Sequence, residues 1–158
     1  MVLDKFITKN KIFSKTNNFL ILFFCCFLLI ILAGFRPLEY FLDTAEYIRI
    51  MNTPEQILEI EPTFWLINSI NTIFLGGEEQ ILFLLYAILG VSIKVYVINK
   101  NSLTPYLSLF TYISMFYILQ EMTQIRAGVA IGLVFLALED IAKKKKINFF
   151  IKMFIAIL

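Results

Sequence analysis

The chain has 158 residues, of which 59% are hydrophobic and 16% charged, with a formal net charge of +2. Ordinary soluble domains are roughly 45–50% apolar and about 25% charged, so this composition and a mean hydropathy of +0.81 predict a chain that lies in lipid. The sequence has no histidine, and its two cysteines are adjacent, which is not a zinc-ligand spacing. Gly-rich phosphate loops and basic nucleic-acid stripes do not occur. We therefore expect no metal, no cofactor and no nucleic-acid partner.

Apolar segments predict an all-α, polytopic membrane helix bundle in a single domain, because a crossing needs about 20 mainly apolar residues. Four to five spans are expected, at 18–35, 80–98, 103–119, 122–142 and 147–158. Four lysines precede the first segment, as in a signal peptide, but its apolar core exceeds the usual 7–15 or so residues, which favours an uncleaved helix. The last segment would reach only about 18 Å. This short end predicts an N-terminal fragment of a larger bundle.

Lysine positions predict the orientation, because cytoplasmic loops carry an excess of Lys and Arg. An N-terminus in the cytoplasm places every lysine cluster on that side: 5–15, Lys94 with Lys100, 143–146, and Lys152. The assignment requires that Thr63–Leu75, which is short and contains two asparagines, forms an interfacial or re-entrant helix. A short tilted crossing there is the alternative, and it would invert everything that follows.

The predicted exterior loop, residues 36–79, collects most of the acids and two of the three arginines. Tyr40, Asp43 and Tyr47 have helical spacing, so one helix face would present a carboxylate between two phenols. Glu46 and Arg49 are spaced to form a solvated salt bridge. A second short helix is predicted after a capping box that begins at residue 53.

Arg126 stands at the start of the fourth apolar segment, where a charge is costly and indicates a functional site with an anionic partner. Glu121 lies five residues away and about 140° round a helix, so it is a poor local counter-charge. Gly128 and Gly132 form a small-residue step that favours close helix packing on the side away from Arg126. The alternative is structural, with Arg126 reaching lipid phosphates or pairing with a carboxylate such as Asp43 or Glu61.

Four short elements resemble the EpsG family, which is related to Wzy-type polymerases of bacterial surface polysaccharides. They are GFR at 34–36, Asp43 followed by Tyr47, the EP-x-F step at 61–64, and QIRAGVAIG at 124–132. The resemblance implies a multi-pass protein of the cytoplasmic membrane. It also implies a partner, a polyprenyl-diphosphate-linked oligosaccharide, whose repeat units are joined on the outer face, and an association with other polysaccharide-export proteins.

A mechanism follows as a hypothesis from the resemblance and the residue chemistry together. Arg126 and Arg36 would bind the diphosphate, because a guanidinium makes bidentate contacts to phosphate and keeps its charge. Asp43 or Glu61 would act as the general base on the acceptor hydroxyl. Gln124 and Tyr47 would complete the substrate-binding site. Two other classes remain open: a flippase or transporter subunit for the same lipid-linked saccharides, and a non-enzymatic membrane scaffold.

Overall fold

The computed structural model describes residues 19–52 and 62–157. Within these ranges the protein is all-helical and has no strand, which confirms the all-α part of the predicted fold class. In chain order, the helices are α1 (Phe19–Gly34), α2 (Leu42–Met51), α3 (Pro62–Phe74), α4 (Glu79–Asn101), α5 (Pro105–Thr111), the π-helix π1 (Tyr112–Thr123), α6 (Ile125–Ala142) and α7 (Lys146–Ile157).

Local sequence explains where several helices begin and end. Gly76 and Gly77, both in the left-handed region at φ 89° and 74°, form the turn between α3 and α4; glycine adopts this conformation without the steric cost of a Cβ. Pro105 begins α5, a position where its missing N–H costs nothing. α5 then continues directly into π1, so the predicted segment at 103–119 is one continuous rod with two kinds of winding.

α4 and α6 pack side by side and run in the same direction. Gly132 lies against Ile93 near the middle of the pair, and Lys100 forms an ion pair of 2.7 Å with Glu139 near its far end. Both contacts join residues 39 apart (132 − 93 and 139 − 100), so the register stays constant along the pair.

α1 runs antiparallel to α4. Gly34 lies against Leu84, while Cys26, eight residues earlier, contacts Ser92, eight residues later. The Nε2 of Gln80 donates a hydrogen bond of 2.7 Å to the carbonyl of Gly34. The end of α1 is therefore fixed at the start of α4.

The predicted role of the glycine step on α6 is confirmed. A Cβ at Gly128 would overlap the carbonyl oxygen of Gln120 at the end of π1, and one at Gly132 would lie 3.0 Å from a methyl of Ile93. The glycines thus admit π1 and α4, and Arg126 faces the other side of the helix.

Only α4 among the described helices is long and apolar enough by itself to cross a membrane; α1 is apolar but shorter. The predicted number of four to five spans is therefore not confirmed. Fewer spans are found than predicted for two reasons. α6 carries three charged residues, and the third predicted segment is divided between α5 and π1. Exposed large apolar side chains nevertheless cover α1 and α7, including Phe23, Phe24, Leu32, Phe150 and Phe154.

In the predicted exterior loop, α3 forms where a short helix was expected at Thr63–Leu75, and α2 contains Asp43 and Tyr47. The interfacial or re-entrant position of α3 stays a prediction. Tyr40 precedes α2 and is 80% exposed, so the predicted carboxylate between two phenols on one helix face is wrong. Glu46 and Arg49 form the expected exposed salt bridge, with an Nε–Oε2 distance of 2.9 Å. The predicted capping box and Glu61 lie outside the described residues.

Lys94 does not form a cytoplasmic lysine cluster with Lys100, so that part of the prediction is wrong: Lys94 is paired with Glu121 of π1. Each residue is only 2% exposed, and the two form an ion pair inside the bundle. A single sequence does not show which segments are neighbours, so the pairing of these two charges was not predicted.

Candidate functional site

A cavity of about 830 Å³ lies where α2, α3, α4 and α6 meet, with the last residues of α7 at its edge. Four of the six site residues predicted from the sequence line it: Asp43, Tyr47, Gln124 and Arg126. These residues come from two helices that are more than 70 residues apart in the chain. The fold therefore brings the predicted elements together at one polar end of the cavity.

An aromatic wall holds α2 in place at this polar end. The ring of Tyr47 stacks on Phe64 of α3 at 6.2 Å, and Phe64 stacks on Tyr86 of α4 at 6.0 Å. Phe83 meets the edge of Tyr47 at 6.3 Å. Aromatic pairs at these separations are favourable beyond the area they bury, so the position of Asp43, one turn before Tyr47, is set by this wall.

Arg126 is the second residue of α6 and packs against the aromatic wall. Its guanidinium carbon lies 5.1 Å from the ring centroid of Tyr47 and 5.9 Å from that of Phe64, within the range of a cation–π interaction. The positive charge of Arg126 also acts on Glu46, which lies on the exposed side of α2. A hydrogen bond from Arg49 lowers the pKa of Glu46, and Arg126 adds a smaller effect in the same direction.

The N-terminus of α6 opens into the same cavity, since Gln124, Arg126 and Ala127 all line it. The first N–H groups of an α-helix have no acceptor within the helix, and here Gln124 supplies no side-chain cap. The helix dipole adds a partial positive charge at this end. The polar end of the cavity is therefore suited to an anion.

From the polar end, the cavity continues along the groove between α4 and α6. Ile93 and Leu133 line it seven residues beyond Tyr86 and Arg126 respectively, which is about 10 Å at 1.5 Å per residue. Other apolar side chains complete this part of the lining: Leu66, Ile67, Leu89, Val129, Ile155 and Ile157. A ligand that fits the whole cavity has an anionic head and an apolar tail.

Arg36 does not line the cavity. It is 2% exposed, and its guanidinium donates to the backbone oxygen of Glu121 at 3.1 Å and to Oγ1 of Thr44 at 3.4 Å. The guanidinium carbon lies 4.1 Å from the ring centroid of Phe83. Burial lowers the pKa of Arg36 to about 10, which still leaves the group charged at neutral pH.

Sequence reasoning missed Tyr86, Thr63 and the apolar groove, because each depends on how α3, α4 and α6 pack together. A buried group around Glu121 was also missed, although its acid and lysine are both rare charges inside apolar segments, which is a readable signal. Across residues 19–52 and 62–157, no group of three or more metal-ligating side chains could hold a metal ion.

Comparison with known proteins gives one finding. The model of the EpsG family matches residues 19–158. Neither the curated proteins nor the solved structures contain a significant match. The matched range covers most of the chain, including every residue that lines the cavity. The chain therefore belongs to the EpsG family, a family of Wzy-like polymerases, which places it among the membrane proteins of polysaccharide biosynthesis.

Proposed function

We propose that this protein is a membrane polymerase that joins polyprenyl-diphosphate-linked oligosaccharide repeat units. The observation that carries the proposal is the cavity itself, which has a polar end that contains Arg126 and an apolar groove along α4 and α6. A polyprenyl diphosphate has the same two parts in the same order. Family membership supports the substrate class, and the four polar residues at one end support the chemistry.

In this proposal, Arg126 binds the diphosphate. A cation in the first turn of a helix is disfavoured by the helix dipole, so an anion bound there interacts favourably with both the guanidinium and the positive end of that dipole. Negative charge grows on the diphosphate as the sugar leaves it. Donors that are already in place stabilise that growing charge without reorganisation.

Asp43 is the proposed general base. The acceptor hydroxyl attacks the anomeric carbon of the donor sugar, its proton passes to the carboxylate, and the bond from carbon to the diphosphate oxygen breaks. Gln124, which is exposed at the mouth of the cavity, offers an amide that can hydrogen-bond sugar hydroxyls. Tyr47 supports the guanidinium of Arg126 through its ring. Glu61 remains the alternative base.

The proposed setting is the cytoplasmic membrane, with several crossings and the N-terminus in the cytoplasm. Lys100 and the lysines at 143–146 lie at the same end of the α4–α6 pair, away from the cavity, which supports a cytoplasmic location for that end. The cavity then faces outward, where repeat units would be joined. Other polysaccharide-export proteins are the proposed partners.

The test replaces Arg126 by Lys and by Gln in cells that depend on this protein for surface polysaccharide, and it measures polymer length on gels. Losing a charge-assisted hydrogen bond costs about 1.5–3 kcal/mol, so Arg126→Lys should lower polymer yield about 10- to 100-fold, and Asp43→Asn should stop it. Single repeat units should still reach the surface, because export precedes joining.

The matched control is Arg49→Lys, which changes an arginine on the exposed side of α2 that pairs with Glu46. It should leave polymer length unchanged. Full polymer synthesis in Arg126→Lys would refute bidentate diphosphate binding. Retention of repeat units inside the cell in the Arg126 variants would instead identify a flippase.

A further inference from the structure

We infer that Glu121 is a positioning residue of this site: together with Arg36 and Lys94 it forms a buried network that fixes Arg126 relative to Asp43. This inference rests on the proposed function for its consequence in catalysis. The network itself consists of contacts outside the cavity, between residues that do not reach a bound substrate.

Glu121 is the centre of the network, because it is contacted from three directions. Its carboxylate accepts one hydrogen bond from the ammonium group of Lys94 on α4 and another, of 2.9 Å, from the hydroxyl of Tyr112. Its backbone oxygen accepts a hydrogen bond of 3.1 Å from the guanidinium of Arg36. A carboxylate that is 2% exposed is costly to bury unless it is paired and hydrogen-bonded, and here both conditions hold.

Two glycines shape the space for this carboxylate. A Cβ at Gly90 of α4 would overlap the Oε2 of Glu121, and one at Gly128 of α6 would lie 3.4 Å from the same atom. The carboxylate therefore sits in a notch between α4 and α6. Any larger residue at position 90 would displace it, although no charge would change.

The π winding of π1 is needed to build the network. Tyr112 and Glu121 are nine residues apart, and at about 100° per residue an α-helix would place them on opposite faces. The wider turns of a π-helix, with hydrogen bonds between residues five apart, put both on the buried face. Tyr117, five residues after Tyr112, lies on that face as well and packs against the Tyr112 ring at 6.0 Å.

The network connects the two sides of the cavity's polar end. On one side, Glu121 comes three residues before Gln124 and five before Arg126. On the other side, Arg36 also donates to Thr44, the neighbour of Asp43 in α2. Buried ion pairs contribute little to net stability but can select one arrangement over its competitors. Here the network would select one arrangement of the helices, in which α2 lies at a fixed distance from the start of α6.

The experiment measures that distance directly by pulsed electron spin resonance. Spin labels are placed at Ala45 on α2 and Phe135 on α6, both exposed, in full-length protein that lacks Cys25 and Cys26, reconstituted in lipid nanodiscs. The parent protein should give a single narrow distance. No substrate is present, so the result does not depend on polymerase activity.

Glu121→Gln should replace the narrow distance by a broad distribution, because it leaves Lys94 buried without a counter-charge. Gly90→Ala should do the same while keeping every charge. The double variant Lys94→Gln and Glu121→Gln removes both charges and keeps hydrogen-bonding groups, so it should restore the narrow distance. In turnover measured with lipid-linked repeat units, kcat should fall about 100-fold in the two single variants and recover in the double variant, since small displacements of catalytic groups have effects of this size.

The matched control is Glu139→Gln, which breaks ion pairs of α6 with Lys100 and Lys143 at the other end of the helix. It should change neither the distance nor kcat. A narrow, unshifted distance in both Glu121→Gln and Gly90→Ala would overturn the inference, and so would an unchanged kcat when the distance broadens. Failure of the proposed function would appear separately, as normal polymer synthesis in the Arg126 variants.

Discussion

Arg36 and Arg126 carry the same charge but occupy opposite surroundings. Arg126 lines a cavity beside two aromatic rings, whereas Arg36 is buried and donates to the backbone of Glu121. Both positions could be selected from the sequence, because each arginine follows or begins an apolar segment. Their division into a cavity-lining arginine and a buried arginine could not, since it depends on which elements pack around each one.

At the residue scale, we predict that Gly34→Ala destabilises the bundle. A Cβ at Gly34 would lie 2.5 Å from Cδ1 of Leu84 and 3.0 Å from its Cα, so α1 would have to move away from α4. Overpacking of this kind costs about 1–3 kcal/mol. The free energy of unfolding in mixed detergent micelles measures the loss.

Adding Leu84→Ala to that variant should recover only part of the loss, because the side-chain clash disappears but the contact with the Leu84 backbone stays. If Gly34→Ala unfolds at the same detergent composition as the parent protein, the close approach of α1 to α4 does not determine stability.

At the scale of single elements, the sequence predicted where helices occur better than how they wind or pair. Apolar runs gave α4, α6 and α7 to within a few residues, and glycine spacing gave the packed face of α6. The π winding of π1 was not predictable, because its apolar residues fit an α-helix equally well. An α-helical prediction for this segment puts Tyr112 and Glu121 on opposite faces, so the buried network could not be predicted from the sequence.

A prediction at this scale concerns α3, whose Phe64 joins α2 to α4. Phe64 is fully buried between Tyr47 and Tyr86, and truncating a buried phenylalanine costs about 3–5 kcal/mol. Phe64→Ala should therefore destabilise the protein by that amount and release α2, which limited proteolysis would detect as faster cleavage near residue 52.

Phe74→Ala provides the matched comparison, because it removes the same side chain from the last turn of the same helix, where it is 76% exposed. We expect no added cleavage in that variant. Equal cleavage of both variants would mean that the aromatic wall does not hold α2.

For the whole molecule, composition and lysine placement predicted a helical membrane protein, and the helical class is confirmed. The order of packing was not predictable. α4 and α6 are parallel neighbours with α1 antiparallel beside α4, and nothing in a single sequence specifies which segments touch. The candidate site follows from that packing, since its polar and apolar parts come from five helices.

The prediction for the whole molecule concerns its orientation in the membrane. A membrane-impermeant thiol reagent added to intact cells should label a cysteine that replaces Tyr40. This residue is 80% exposed and lies three residues before Asp43, which lines the cavity. It should not label one at Lys145, which lies in the exposed turn after α6. The background protein lacks Cys25 and Cys26. The reverse pattern would place the cavity on the cytoplasmic face and contradict the proposed polymerase.

The hydrogen bond between Arg36 and Glu121 joins residues that are 85 positions apart, and this separation has a consequence for biosynthesis. At roughly 5–20 residues per second, a ribosome takes about 4–17 seconds to reach Glu121 after it has made Arg36. During that interval the guanidinium lacks this acceptor, so it must be hydrated or bonded to another polar group. The buried network around Glu121 is therefore completed late, only after α5 and most of π1 have been synthesised, and α1 lacks this contact until then.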